Sequence, residues 1–277
     1  MSLKDQVRTY WEEEPCDLRL GKAKDPFSFF EEIARKRYEL EPFIPDLANF
    51  SQGKGKRVLE IGIGLGVDFL QWIKNEAWAV GVDLTSEAVK LTRKHLDVRG
   101  ISRKAYSLFQ ADGETLPFKD HSFDLVYSWG VLHHTPRTEA AIQEVFRVLA
   151  PGGTLKAMVY HIPSWTGWLL WGRFGLLARK PFSGVNDLIP QHLESPGTKA
   201  FTCEEMGELL AKIGFAQTQG KVTLGPSDLL SLKLSRRYAS WLYPVAQALY
   251  PRWLVKAMGD RYGLFLFFQA RKPRLAA

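Results

Sequence analysis

Three glycines and three acids stand at intervals suited to holding a nucleoside. The first group is Glu60-Ile-Gly62-Ile-Gly64-Leu-Gly66. Glycines at such a turn let backbone approach a ligand closely, and the next helix would aim its first amides at it. A dinucleotide fingerprint needs G-x-G-x-x-G, and its third glycine position is Val67 here. The observed G-x-G-x-G behind an acid fits a cofactor with an amino-acid end and no pyrophosphate. Asp83, with Leu84 beside it, lies seventeen residues past Gly66. A carboxylate there accepts two hydrogen bonds from a ribose diol better than a neutral residue does. Asp112-Gly113-Glu114 follows, with Asp112 suited to accept from an adenine amino group. One such acid is ordinarily a cap or a loop residue. The ordered set points to a nucleoside site.

A second set could move a proton. His133 and His134 are adjacent, and Tyr160 and His161 follow in the next strand candidate. Histidine is the natural base near neutral pH. The pair reads equally as a cap for the helix starting near Thr138 or as packing beside the adenine. Tyr10, Trp11, Trp165 and Trp241 are the candidate acceptor contacts. Cys16 and Cys203 are too few and too far apart for a disulfide framework or a zinc site, so no metal is expected and both read as buried or idle thiols.

These residues need a frame that brings strand ends together. From residue 57 to about 160, short apolar runs alternate with longer amphipathic ones. Strands are expected at 57–64, 77–84, 106–112, 122–130 and 154–161, with helices at 66–75, 86–100 and 138–153. Such alternation implies parallel βαβ units, whose ligands bind beyond the carboxyl ends of the strands. Every motif above lies at such an end. Further on, 203–215 reads as helix, 216–224 as strand, and 264–272 as a closing strand.

Residues 57–160 resemble the class I S-adenosylmethionine (SAM)-dependent methyltransferases. VLEIGIGLG is similar to their glycine motif, VGVDLT to their ribose-binding segment, ADGETLPFKDHSFDLVYSWGVLHHTP to their adenine and fourth-strand segments, and EVFRVLAPGGTL to the turn before their fifth strand. The resemblance implies that Asp83 holds the ribose and Asp112 the adenine, while Gly62, Gly64 and Ser128 line the methionine end. It also implies SAM as cofactor and a doubly wound, mostly parallel seven-stranded α/β sheet whose last strand is antiparallel. The wording is closest to the group acting on quinones, sterols and natural products.

The whole chain, 1–277, is expected to be one methyltransferase domain. Its parts would be a helical lid over 1–50, a SAM-binding core over 55–161, and cap inserts at 162–200 and 226–263. Both inserts should leave the ligand-binding edge of the sheet, and together they hold Trp165, Trp168, Trp171, Trp241 and Trp253. An aromatic cap suits a hydrophobic acceptor, methylated on O, N or C. The second insert is also basic, which suits peripheral contact with an anionic membrane.

Net charge is +7, which admits nucleic acid, an anionic substrate or an acidic surface. Nucleic-acid methylation is disfavoured by scattered Lys/Arg and by the missing Asp/Asn-Pro-Pro-Tyr tetrapeptide. A non-catalytic SAM-binding scaffold is the remaining alternative, and intact motifs speak against it. The polar start and the lack of a long apolar run predict a cytoplasmic protein. Oligomeric state is left open.

Overall fold

The computed structural model describes residues 1–231 and 247–274. Among these described residues, eight strands form one sheet: β1 Arg57–Ile61, β2 Trp78–Asp83, β3 Tyr106–Gln110, β4 Phe123–Trp129, β5 Leu149–His161, β6 Ala200–Phe201, β7 Ala216–Thr223 and β8 Phe265–Arg271. Their order is β3-β2-β1-β4-β5-β8-β7, with β6 paired to β5 off this path. Pairing is parallel from β3 through β5, and β8 runs antiparallel to both β5 and β7. The last strand is therefore the antiparallel one, as expected, and β7 runs parallel to β5.

The described helices are α1 Leu3–Glu13, α2 Pro26–Leu40, α3 Ile44–Ala48, α4 Val67–Lys74, α5 Ser86–Val98, α6 Thr138–Val148, α7 Trp165–Leu170, α8 Val185–His192 and α9 Cys203–Ile213, with a short helix at Arg252–Ala257. Local chemistry explains their bounds. Thr85 caps α5 by accepting from the Ala88 amide at 3.3 Å. Thr202 and Glu205 cap each other at the start of α9, and Gly214 closes it at φ 110°.

Buried strands in a covered parallel sheet carry apolar side chains on both faces. Val58, Leu125 and Tyr127 pack with Phe69 and Trp72 of α4 and with Ile44 of α3. Leu59, Val126 and Leu155 face the other way onto Ile142 and Val145 of α6 and Leu210 of α9.

Two expectations need correction. The helix expected over 138–153 ends at Val148, and Leu149-Ala-Pro-Gly-Gly opens β5 with a register shift against β4. Pro151 cannot continue a helix, and the irregularity takes up the two glycines as a bulge. The sheet also has eight strands instead of seven. The extra one, β6, is two residues long and lies beside Tyr160 and His161, inside a Trp-, Gly- and Pro-rich insert with no period to reveal it.

Both inserts leave from the carboxyl edge of the sheet. The first continues from α7 through a π-helical turn at Trp171–Leu176 into α8. The second packs on it, with Thr166 Oγ1 and the Thr166 amide bonded to Asp228 at 2.7 and 2.9 Å. Trp241, Tyr238, Tyr243, Lys233, Arg236 and Arg237 lie outside the described residues.

Candidate functional site

A cavity of about 1140 Å³ opens over the carboxyl ends of β1, β2, β4 and β5. It sits where the strand order reverses between β1 and β4, the usual ligand position in doubly wound sheets. One half is lined by glycines and acids, the other by aromatic and aliphatic side chains.

The glycine motif divides by role. Gly62, at φ 81°, packs so closely that a Cβ would stand 2.1 Å from Val131 Cγ2. Gly64, at φ 50°, has nothing within 4 Å of an added Cβ, so it faces open cavity. Gly66 caps α4 at φ 73° and faces Thr92, away from the cavity wall.

Asp83 ends β2 with one carboxylate oxygen accepting from the Thr85 amide (3.0 Å) and hydroxyl (2.8 Å). Its other oxygen accepts from the Gly64 amide at 3.2 Å. These bonds aim the group across the glycine turn and leave one of its roughly four lone pairs for a ribose hydroxyl. Burial raises its carboxyl pKa, partly offset by the same bonds. Leu84 and Gly113 line the wall beside it. Asp112 accepts from Lys4 Nζ at 2.5 Å and from the Glu114 amide at 2.9 Å.

Glu114 stands behind that wall. Its side chain is 1% exposed and is tied to Lys4 Nζ (2.8 Å) and to the Arg137 amide (2.7 Å). It buttresses Asp112. Ser128 is likewise off the wall: fully buried, it donates to the Ile61 carbonyl at 3.1 Å, joining β4 to β1.

Glu60 is buried on the wall, and its Oε2 has no hydrogen-bond partner. Burial, then the Asp68 carboxylate, push its carboxyl well above the ordinary range. An orphaned acid oxygen beside the open Gly64 suits a cationic amino-acid end. With Asp83 in reach, the donor set fits SAM.

Sequence reasoning missed the anchor beneath this half. Asp68 of α4 is buried and accepts from Arg37 Nη2 and from the Tyr38 and Tyr127 hydroxyls, each at 2.9 Å. These bonds join α2, α4 and β4 under the glycine turn.

The proton-transfer candidates separate. His134 and Tyr160 line the cavity; His133 and His161 do not. A tight turn at Leu132–His134 sends consecutive side chains in different directions. His133 is thus buried between the His134 and Tyr160 rings, each 4.1 Å from it, and neither ring nitrogen has a hydrogen-bond partner. Burial holds its pKa well below the ordinary value. His161 is spent on the Gly263 carbonyl at 2.9 Å.

His134 Nδ1 lies 3.0 Å from Thr198 Oγ1, which donates to the Ser195 carbonyl at 2.6 Å, and 2.9 Å from Ser195 Oγ, which is free to donate to it. With Nδ1 held by the two hydroxyls, the other ring nitrogen, Nε2, is aimed at Glu194. Nε2 lies 3.3 Å from Glu194, which also accepts from the Tyr160 hydroxyl at 2.6 Å. Burial raises the Glu194 carboxyl, but bonds from His134 and Tyr160 bring it below its usual value. Burial raises the Tyr160 phenol strongly, so it stays a donor. Glu194 escaped sequence reasoning, since an acid in an irregular insert carries no signal. Its φ of 56° is uncommon for a non-glycine residue and accompanies a functional position often enough to mark it.

The remaining predicted contacts converge here. Trp11 meets His134 edge-on with centroids 5.2 Å apart, and Tyr10 packs on Trp11. Both line the cavity, as does Trp165, whose buried indole nitrogen has no partner. Glu41 accepts from Trp129 Nε1 at 3.0 Å, and burial pushes its carboxyl up to about 7. Cys16 and Cys203 are free and exposed, so of the expectation of buried or idle thiols the buried half fails, and Cys16 lines the cavity.

Residues 59–157 match a family model described as a methyltransferase domain. The fatty-acid O-methyltransferase of Mycolicibacterium smegmatis is 33% identical over 157 residues, covering 53% of this chain and 55% of that protein. The phthiotriol/phenolphthiotriol dimycocerosates methyltransferase of Mycobacterium tuberculosis is 32% identical over 146 residues, covering 52% and 48%. This chain spans about half the length of those curated relatives. Among solved structures, Haemonchus contortus phosphoethanolamine N-methyltransferase 2, in complex with S-adenosylhomocysteine, matches with a TM-score of 0.60 at 19% identity, covering 97% of this chain and 60% of that one. The [4+2]-cyclase SpnF matches with a TM-score of 0.55 at 16% identity, covering 98% and 93%. A fold shared with a cyclase does not assign a family. The matched segment runs through Gly62, Gly64, Asp83 and Asp112 in order, and residues 59–157 form a methyltransferase domain of the class I SAM-dependent type.

Proposed function

We propose that the chain methylates a small, apolar acceptor held under its two inserts. The observation that carries this is a single cavity joining the glycine-and-acid half to an aromatic and aliphatic half. Ligand sites commonly enclose about 300–1,000 Å³. At about 1140 Å³, this one leaves room for an acceptor beside the cofactor. The curated relatives whose names mention a fatty acid or a phthiotriol lipid support the same class of acceptor.

When bound, SAM supplies a methyl group on a sulfonium. The chain's own residues hold, orient and exclude water. Asp83 and the Gly64 amide position the ribose side, and Asp112 the base. Trp11, Tyr160 and Trp165 shape the apolar half, where alignment within about 3–3.5 Å supplies most of the acceleration. Where the acceptor atom carries a proton, the His134 ring takes it, with Glu194 stabilising the charged ring and Thr198 and Ser195 fixing its orientation at Nδ1. His133 acts as a positioning residue behind His134.

Incubation with radiolabelled SAM and fractionated small-molecule extract tests the reading. Label in an apolar small-molecule fraction is expected. Label confined to RNA, DNA or protein, or no transfer at saturating cofactor, would overturn it.

A further inference from the structure

The cavity mouth carries side chains that water alone would not favour. Trp168, Leu176 and Leu177 line the cavity and are also 37%, 54% and 77% exposed. Phe182, a few residues on, is wholly exposed. The second insert adds Trp253 at 74% and Leu249 at 78%, with Leu254 and Met258 also exposed. The two inserts form one face. Trp168 and Tyr262 pack with centroids 5.1 Å apart, and Thr166 Oγ1 donates to Asp228 at 2.7 Å. Contiguous apolar exposure on this scale marks an interaction site.

Charge narrows the partner. Residues 165–183 contain Arg173, Arg179 and Lys180 and no Asp or Glu, and all three cations are exposed. Residues 247–263 add Arg252, Lys256 and Arg261 against Asp260 alone. Asp260 is itself exposed and accepts from the Leu224 amide at 3.1 Å, so the face keeps an excess of cations over acids across the two stretches. A protein partner would have to present acids at fixed points between apolar sockets. A bilayer offers diffuse negative charge above an apolar interior, which suits interspersed Arg/Lys and Trp/Phe/Leu.

We propose that this face docks on an anionic lipid bilayer, with Phe182, Leu177 and Trp253 entering the headgroup boundary and the cavity mouth opening onto the membrane. The inference extends the reading of an apolar acceptor, which would then enter from the lipid, but docking itself needs no turnover.

Co-sedimentation of the full chain with vesicles tests it. Phosphatidylcholine vesicles containing phosphatidylglycerol should bind the protein, pure phosphatidylcholine should bind it much less, and added salt should release it. Phe182→Glu combined with Trp253→Glu should weaken binding by at least about tenfold. Neither residue lines the cavity, so cofactor affinity and turnover of a detergent-dispersed acceptor should be unchanged. No binding to anionic vesicles, equal binding to neutral ones, or full binding by the double variant overturns the proposal. Vesicle binding without methyl transfer would instead overturn the proposed function and leave docking standing. Transfer to dispersed acceptors without vesicle binding would do the reverse.

Discussion

Gly62 and Gly64 are two positions apart in the motif and differ wholly in their surroundings. A Cβ at Gly62 collides with Val131, whereas one at Gly64 enters open cavity. Gly62→Ala is therefore expected to impair folding. Gly64→Ala should lose only about 1–2 kcal/mol through its left-handed backbone, yet raise the Kd for SAM at least about tenfold. Thermal denaturation beside calorimetric titration separates the two. His134→Asn should lower kcat by roughly 10²-fold for an acceptor that sheds a proton, with little change in Tm. An unchanged kcat would remove His134 from the chemistry. Glu41 supplies a pH signature. Its buried carboxyl is raised from an ordinary 4.5 to about 7, so the folded chain holds a proton that the unfolded chain releases. That contribution is full below pH 4.5 and is lost as pH rises through about 7. Tm measured across this window should fall more steeply for the native chain than for Glu41→Gln, which still accepts from Trp129.

At the scale of elements, α1 is the one whose placement matters most. Lys4 reaches Asp112 and Glu114, and Glu12 accepts from the Ser86 and Glu87 amides at 2.8 and 3.3 Å. A carboxylate at the start of α5 satisfies amides that have no partner within the helix. The helix is thus tied to the loops after β2 and β3 and lays Trp11 against His134. We expect S-adenosylhomocysteine to slow tryptic cleavage at Arg8, and Lys4→Met with Glu12→Gln to abolish that protection. Cleavage indifferent to both would mean that α1 is no lid. The strand and helix rhythm from Arg57 to His161 was legible from sequence because a buried parallel sheet needs apolar runs between amphipathic ones. The start of β5 was not, since its Leu-Ala-Pro-Gly-Gly run reads as a helix end. Nor was β6, whose pairing depends on where the first insert returns.

Across the whole molecule, the two inserts join the proposed nucleoside site to an apolar chamber. Trp165 stands in that chamber with its indole hydrogen unspent. A buried donor left unpaired loses about 1–3 kcal/mol relative to a paired one, so an acceptor oxygen there would gain affinity. Trp165→Phe should raise KM for an oxygen-bearing acceptor by about tenfold with kcat nearly unchanged. Equal KM values would place the acceptor elsewhere in the cavity. No described helix is long and apolar enough to cross a membrane, so any lipid contact would be made by the exposed face of the inserts.

The sequence by itself determined the cofactor half of this protein. Glycine and acid motifs are local, and a strand followed by a turn carries them to the sheet edge whatever the rest of the chain does. Asp83 and Asp112 stand where their spacing put them. Tertiary structure alone decided the acceptor half. Glu194, Trp11 and His134 are far apart in sequence, and only the fold of the first insert and the docking of α1 bring them to one wall. It also separated neighbours: His134 faces the cavity while His133 and Ser128 turn into the core. A one-residue change of direction on a tight turn or a strand leaves no trace in composition or period, because burial is a property of what packs against the element.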